Sequence, residues 1–233
     1  MPYNNQKFQQ LISQIRDGNF DFDRIELPRA GLEDEHFGTL IAAINSNIEL
    51  KHRLVILDLK FNSFQDLSAF EITDFPALQV VSLQGGAVRL KLMPKISNCP
   101  ELYHIDLSCN NLEYLSLNNL KRLSFLFLQN NSFKENPRIE FEDCPALQQL
   151  NLENNGMEKF TLYKSYLKIS KLYMSAGNKL DIDTVNGLKI QRNNALMYTK
   201  TPAANWDAYL PPKYSERSES KVENTNIVQC CFQ

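Results

Sequence analysis

The chain has 233 residues and a formal net charge of −2, a length with room for one main folded unit with short caps and too little for a second large domain. That charge leaves no broad electrostatic footprint for nucleic acid, and no run of about 18 apolar residues marks a membrane span. The start, MPYNNQKFQQ, lacks the basic-then-apolar layout of a secretory signal and the second-position Gly of an N-myristoyl site, and five cysteines, an odd number, favour a reducing compartment.

In residues 6–17, Phe8, Leu11, Ile12 and Ile15 fall at helical spacing, and Asp17-Gly18-Asn19 ends the pattern. Residues 1–21 are therefore expected to form an N-terminal helical cap that covers apolar surface left by the first repeat. A second apolar stripe, Phe37, Leu40, Ile41 and Ile44, predicts a helix over 35–46. That helix accounts for the long gap between Phe22 and Leu54.

From Leu54 a nine-residue pattern, Leu-x-x-Leu-x-Leu-x-x-Asn, recurs. It reads LVILDLKFN at 54–62, LYHIDLSCN at 102–110, LSFLFLQNN at 123–131 and LQQLNLENN at 147–155. Looser copies are LQVVSLQGG at 78–86, ISKLYMSAG at 169–177 and VNGLKIQRN at 185–193, with a degenerate first copy, FDRIELPRA, at 22–30. From Leu54 onward the steps between starts are 24, 24, 21, 24, 22 and 16 residues. Alternation within each copy makes a short strand whose apolar side chains share one side, and one rung cannot bury them without neighbours. The Asn serves another purpose. Its short amide can bond backbone where the chain leaves the strand, and stacked copies would form a ladder of buried amides. Gly86 and Gly177 take that place in two copies, where local irregularity is expected.

A second recurrence precedes the copies. Asp74-Phe75-Pro76-Ala77-Leu78, Asn98-Cys99-Pro100-Glu101-Leu102 and Asp143-Cys144-Pro145-Ala146-Leu147 share one layout, with Leu120 in the same place before Leu123. It makes Cys99 and Cys144 small buried hydrophobes equivalent to Phe75 and Leu120, with no catalytic or metal role. The connector after Asn62 has room for one or two turns of helix or 3₁₀, and Asn111–Leu123 for an extended or turn-like crossing.

The alternate positions of each strand point to the opposite face from the Leu residues. Most are polar, but Ile56, Val80, Phe125 and Phe127 are apolar without being required by the repeat, and Asp58, Asp106 and Glu153 lie around them. A concave patch of Ile56, Asp58, Val80, His104, Asp106, Phe125, Phe127 and Tyr173 is expected to bind protein, unless flanking side chains cover the apolar members. His104 beside Asp106 lacks a supporting nucleophile or third ligand, so neither catalysis, a metal nor a cofactor is expected. Residues 194–210, with Trp206, are read as a C-terminal cap, and 211–233 as a polar, disordered tail. The tail ends Cys230-Cys231-Phe232-Gln233, a C-a-a-X arrangement that marks Cys230 for prenylation. A single lipid without a polybasic patch gives weak membrane association.

The repeats resemble the leucine-rich repeat superfamily over residues 22–193, about 7–8 units. The resemblance implies an α/β solenoid, curved, with short parallel strands on a concave face and helices or turns on a convex one. Repeats with a terminal prenylation box, Asn-rich composition and no signal peptide look like a Legionella-type secreted bacterial effector. That implies a non-enzymatic module binding a host or cellular protein, modified by a host prenyltransferase and translocated to host cytosol and membranes. The alternative is a soluble, non-lipidated, cytoplasmic subunit that regulates or inhibits an enzyme.

Overall fold

The computed structural model describes residues 5–134, 138–159, 169, 171–174, 177–179 and 196–198. Helices stand at the N-terminal end. The first, α1 (Asn5–Arg16), buries Phe8, Ile12 and Ile15 and packs on α2 (Asp34–Ser46). It stops where the glycine allows it: Gly18 takes φ 68° and its N–H donates to the Ile15 carbonyl, while Asn47 Nδ2 caps the same carbonyl at 2.7 Å. On α2, Phe37, Leu40, Ile41 and Ile44 are buried as their spacing predicts. Asn47 then closes α2 and opens a short helix, α3 (Ile48–Arg53), by accepting from the Leu50 N–H at 3.0 Å.

The rest of the described chain winds through two parallel sheets. The first has eight described strands in chain order: β1 (Arg24–Glu26), β2 (Ile56–Asp58), β4 (Val80–Ser82), β6 (His104–Asp106), β8 (Phe125–Phe127), β10 (Gln149–Asn151), β11 (Lys171–Tyr173) and β12 (Leu196–Tyr198). The second has four: β3 (Glu71–Thr73), β5 (Lys95–Ser97), β7 (Tyr114–Asn118) and β9 (Arg138–Glu142). Between them lies one continuous core built from the repeat's leucines, with Leu57, Val81, Ile105, Leu126 and Leu150 as successive rungs.

This is a parallel β-solenoid of two sheets, which corrects the expected leucine-rich repeat horseshoe with one curved sheet and a helical convex side. The reason lies in the crossings. EIT, KIS, YLSLN and RIEFE alternate with period two rather than 3.6, and each is followed by Asp74, Asn98, Asn119 or Asp143. Those four residues hold left-handed φ values of 54–60°, a conformation that Asn and Asp tolerate better than other side chains. The chain therefore leaves each outer strand by a sharp turn that drops Phe75, Cys99, Leu120 and Cys144 into the core. A helix in these connectors has neither the sequence period nor the residues. The connector after Asn62, expected as helix or 3₁₀, is instead strand β3.

The asparagine ladder joins the rungs. Asn131 is typical: its Nδ2 donates to Leu128 O in its own unit and Leu107 O in the unit before, at 3.0 and 2.9 Å. Its Oδ1 accepts from the Leu112 N–H at 3.0 Å. Asn62, Asn110 and Asn155 repeat this two-rung span. In the 169–177 copy the ladder residue is Asn178, one place beyond the expected position. Asn178 bonds Leu152 O and Met174 O, while Gly177 takes the positive φ of 63° that precedes each amide. In the 78–86 copy the amide is missing for a steric reason. A Cβ on Gly86 would lie 2.7 Å from Asn62 O, and one on Gly85 would lie 1.9 Å from Cys109 O. The neighbouring turns close into that space.

The last pairing also differs from expectation. The strand beside β11 is β12, with Lys171 against Leu196, a step of 25 residues inside the stretch read as a cap. The copy expected at 185–193 lies outside the described residues, as do the remainder of the cap and the whole tail.

Candidate functional site

Strand alternation and in-register parallel pairing set the site's geometry together. In the first column of the eight-stranded sheet, Ile56, Val80, His104, Phe125 and Gln149 lie side by side, followed by Lys171. In the second, the sequence runs Asp58, Ser82, Asp106, Phe127, Asn151 and Tyr173. All eight candidate residues on the strands thus share one face, with adjacent rungs about 4.8 Å apart. Cys230 lies outside the described residues.

The face is drier than its sequence led us to expect. Ile56 and Val80 are 1% exposed and Phe127 and Tyr173 are 3% exposed. Phe125 is half-buried. Part of the cover comes from within the columns: Ile56 and Val80 pack together with Val55 and Tyr103 on their flanks. The His104 ring stands 5.3 Å from Phe127 and 6.3 Å from Phe125, and Tyr103 is 6.3 Å from Phe125 at a near-perpendicular angle. The apolar members are therefore part of a packed aromatic and aliphatic layer.

Burial governs the electrostatics. It pushes His104 down to about 4, so the imidazole is neutral at pH 7. It pushes Asp106 up, with Asp58 adding in the same direction, against the hydrogen bonds from Ser108 and the charge of Lys60. Asp58 has a local counter-charge, Lys60 Nζ at 3.1 Å from Oδ2. Each of Asp58, Asp106 and Asn151 also closes a turn, accepting through Oδ1 from the backbone N–H two residues on, at 2.9–3.1 Å.

Four more residues belong to the site. The Ser108 hydroxyl bonds the Asp106 carboxylate, while Gln129 Oε1, Gln149 Oε1 and Asn151 Nδ2 are buried polar atoms without a hydrogen-bond partner. Such atoms cost about 1–3 kcal/mol each, and a cluster on one face calls for an explanation. In the sequence they read as ordinary solvated positions of the repeat. Their column was visible there, but their removal from water was not.

Among the described residues no group of three or more His, Cys, Asp or Glu is placed to hold a metal ion, and no helix is long and apolar enough to cross a membrane. No family model matches the chain. Over 102 residues, 41% of its length, it is 32% identical to mouse CD180 antigen, of which this covers 15%. Over 127 residues, 54% of its length, it is 32% identical to mouse Nephrocan, of which this covers 25%. The chain thus spans a quarter or less of the relatives it matches. These likenesses, to mouse proteins, and the two-sheet solenoid replace the resemblance to a lipid-anchored bacterial effector, and the effector, prenylation and host-membrane readings are set aside with it.

Proposed function

We propose that the chain is a protein-binding solenoid module, acting as a non-lipidated regulatory or inhibitory subunit whose partner is an enzyme and carries the catalysis. One observation supports this most: three buried, unpartnered polar atoms adjoin the Tyr103, His104, Phe125 and Phe127 cluster on a single sheet face. Aromatic anchors beside unmet hydrogen-bonding groups are what a partner's side chains and backbone can exploit. The partner is a cellular protein rather than a nucleic acid, and the setting is the reducing cytoplasm, in keeping with the Cys99 thiol sealed in the core.

The test compares wild type with Phe125→Ala and with Tyr114→Ala on the exposed outer sheet. Each immobilised full chain is used to capture a partner, which is then purified and rebound to folded variants. Loss of at least about tenfold in affinity, roughly 1.4 kcal/mol, for Phe125→Ala but not Tyr114→Ala is expected. The opposite pattern refutes the assignment of the face. A change in the partner's turnover on binding separates a regulatory subunit from a passive tether.

A further inference from the structure

The internal repeat provides its own comparison. Asp58 and Asp106 occupy equivalent places two rungs apart, each level with Ser82 between them. Each accepts through Oδ1 from the backbone N–H two residues on, Lys60 at 3.1 Å and Ser108 at 2.9 Å. At Asp58 that residue brings a cation, with Lys60 Nζ on the second carboxylate oxygen. At Asp106 it is Ser108, fully buried, whose hydroxyl also hydrogen-bonds the carboxylate but brings no charge. Asp106 thus has the Asp58 turn without a cation of its own, and the charge of Lys60 reaches it only from the Asp58 unit.

The next rungs extend the same column. The Cys109 N–H bonds Gln129 O and the Asn130 N–H bonds Glu153 O, which keeps Ser108, Gln129 and Glu153 level across three units. Gln129 Oε1 is buried and unpartnered, and Glu153 adds a second carboxylate to the row.

We propose that Asp106, Ser108, Gln129 and Glu153 form a subsite for a lysine or arginine side chain of a bound polypeptide, which supplies to Asp106 the charge that Lys60 supplies to Asp58. This rests on the protein-binding reading and gives that partner a chemistry. An ammonium group has three protons to donate, and the subsite offers an Asp106 carboxylate oxygen, Ser108 Oγ and Gln129 Oε1. Glu153 strengthens the field. One column over, Gln149 Oε1 accepts a main-chain N–H of the same segment and Asn151 Nδ2 donates to a main-chain carbonyl. The site is closed in the free chain, so the face opens to admit the segment. Burial already holds the Asp106 carboxyl above its usual range, and an incoming cation reverses that penalty.

The experiment uses the full chain, ¹⁵N-labelled, and acetylated, amidated pentapeptides Ser-Ser-X-Ser-Ser with X as Lys, Arg, norleucine or Glu. Lys and Arg peptides are expected to shift the Ser108 and Gln129 amides and to bind at least about tenfold more tightly than the norleucine peptide, a difference of roughly 1.4 kcal/mol. Ser108→Lys copies the Asp58–Lys60 pair: it should raise the melting temperature and abolish Lys- and Arg-peptide binding. Asp106→Asn, checked for an unchanged fold by its amide spectrum, should remove the preference for cations. Equal binding of Lys and norleucine peptides, absence of any shift, or undiminished binding by Ser108→Lys overturns the subsite. Partner capture that still depends on Phe125 would then leave the protein-binding reading standing, whereas capture independent of Phe125 removes both.

Discussion

Asn131→Ala should be among the most damaging single truncations in this chain. The side chain is buried and joins two rungs, donating to Leu107 O and Leu128 O and accepting from the Leu112 N–H. Alanine leaves the Leu112 N–H without its bond and takes one of two bonds each from Leu107 O and Leu128 O, which keep those from Asn110 and Asn155. One orphaned buried group costs about 1–3 kcal/mol and each further lost bond about 0.5–1.5, partly recovered by relaxation, so a loss of about 2–4 kcal/mol is expected. Urea unfolding followed by circular dichroism, with the slope unchanged, measures it as a shift of midpoint. Asn119→Gly is the control, because its amide bonds Asn98 at the exposed edge of the outer turn and glycine keeps the left-handed φ of 54°. If both variants cost the same, or Asn131→Ala costs under about 1 kcal/mol, the ladder is a consequence of the fold and not a cause of its stability.

Gly86→Asn restores the repeat's consensus residue, yet it should destabilise, since its Cβ would meet Asn62 O and the Phe61 carbonyl below 3 Å; a midpoint at or above wild type in the same urea titration refutes this. His104 is held near 4 in the folded chain, below its unfolded value of about 6.5, so its contribution is intact above pH 6.5 and falls as the pH drops towards 4. The loss is about 3 kcal/mol, and His104→Gln should flatten that part of the stability–pH curve. Asp106, raised on folding, acts with the opposite sign, so an Asp106→Asn background should steepen the acid loss. Burial raises Cys99 to about 11, leaving about one thiolate in a thousand at pH 8. Peptide mapping after iodoacetamide treatment should therefore find Cys99 alkylated in urea and protected without it.

Much of the inner sheet was legible in the sequence because one residue type dominates each of its positions. Leucines at Leu54, Leu102 and Leu147 set the rungs, and the recurring Asn set the turn. The outer sheet was harder to read. Its strands are three to five residues long, too short for alternation to stand out from a loop, and their strongest marker is a conformation: the left-handed turn at Asp74, Asn98, Asn119 and Asp143. The aligned D-F-P, N-C-P and D-C-P runs contained that marker, but their value as strand endings emerges only when the three stack with the turn at Asn119. Asn178 shows another limit. A ladder residue can slip by one position when the preceding glycine absorbs the turn, and a fixed nine-residue template then assigns the amide's place to Gly177.

The candidate face was half legible for a related reason. Strand alternation correctly groups side chains by direction, so Asp58, Asp106 and Phe127 could be placed together from the sequence alone. Direction does not determine solvation. Ile56 and Val80 were expected in water because the repeat core did not need them, whereas neighbouring rungs at strand spacing let them bury one another. The same contact distance gives the carboxylates their meaning. In isolation, Lys60 and Ser108 are merely two polar residues that follow an acidic one. Once Asp58 and Asp106 are seen as equivalent buried positions, the exchange of lysine for serine becomes a missing charge in a dry site. A surface that evolved for solvent would tolerate either residue at 108. A surface built to receive a cation requires the small one, and Ser108→Lys separates these two cases in a single titration.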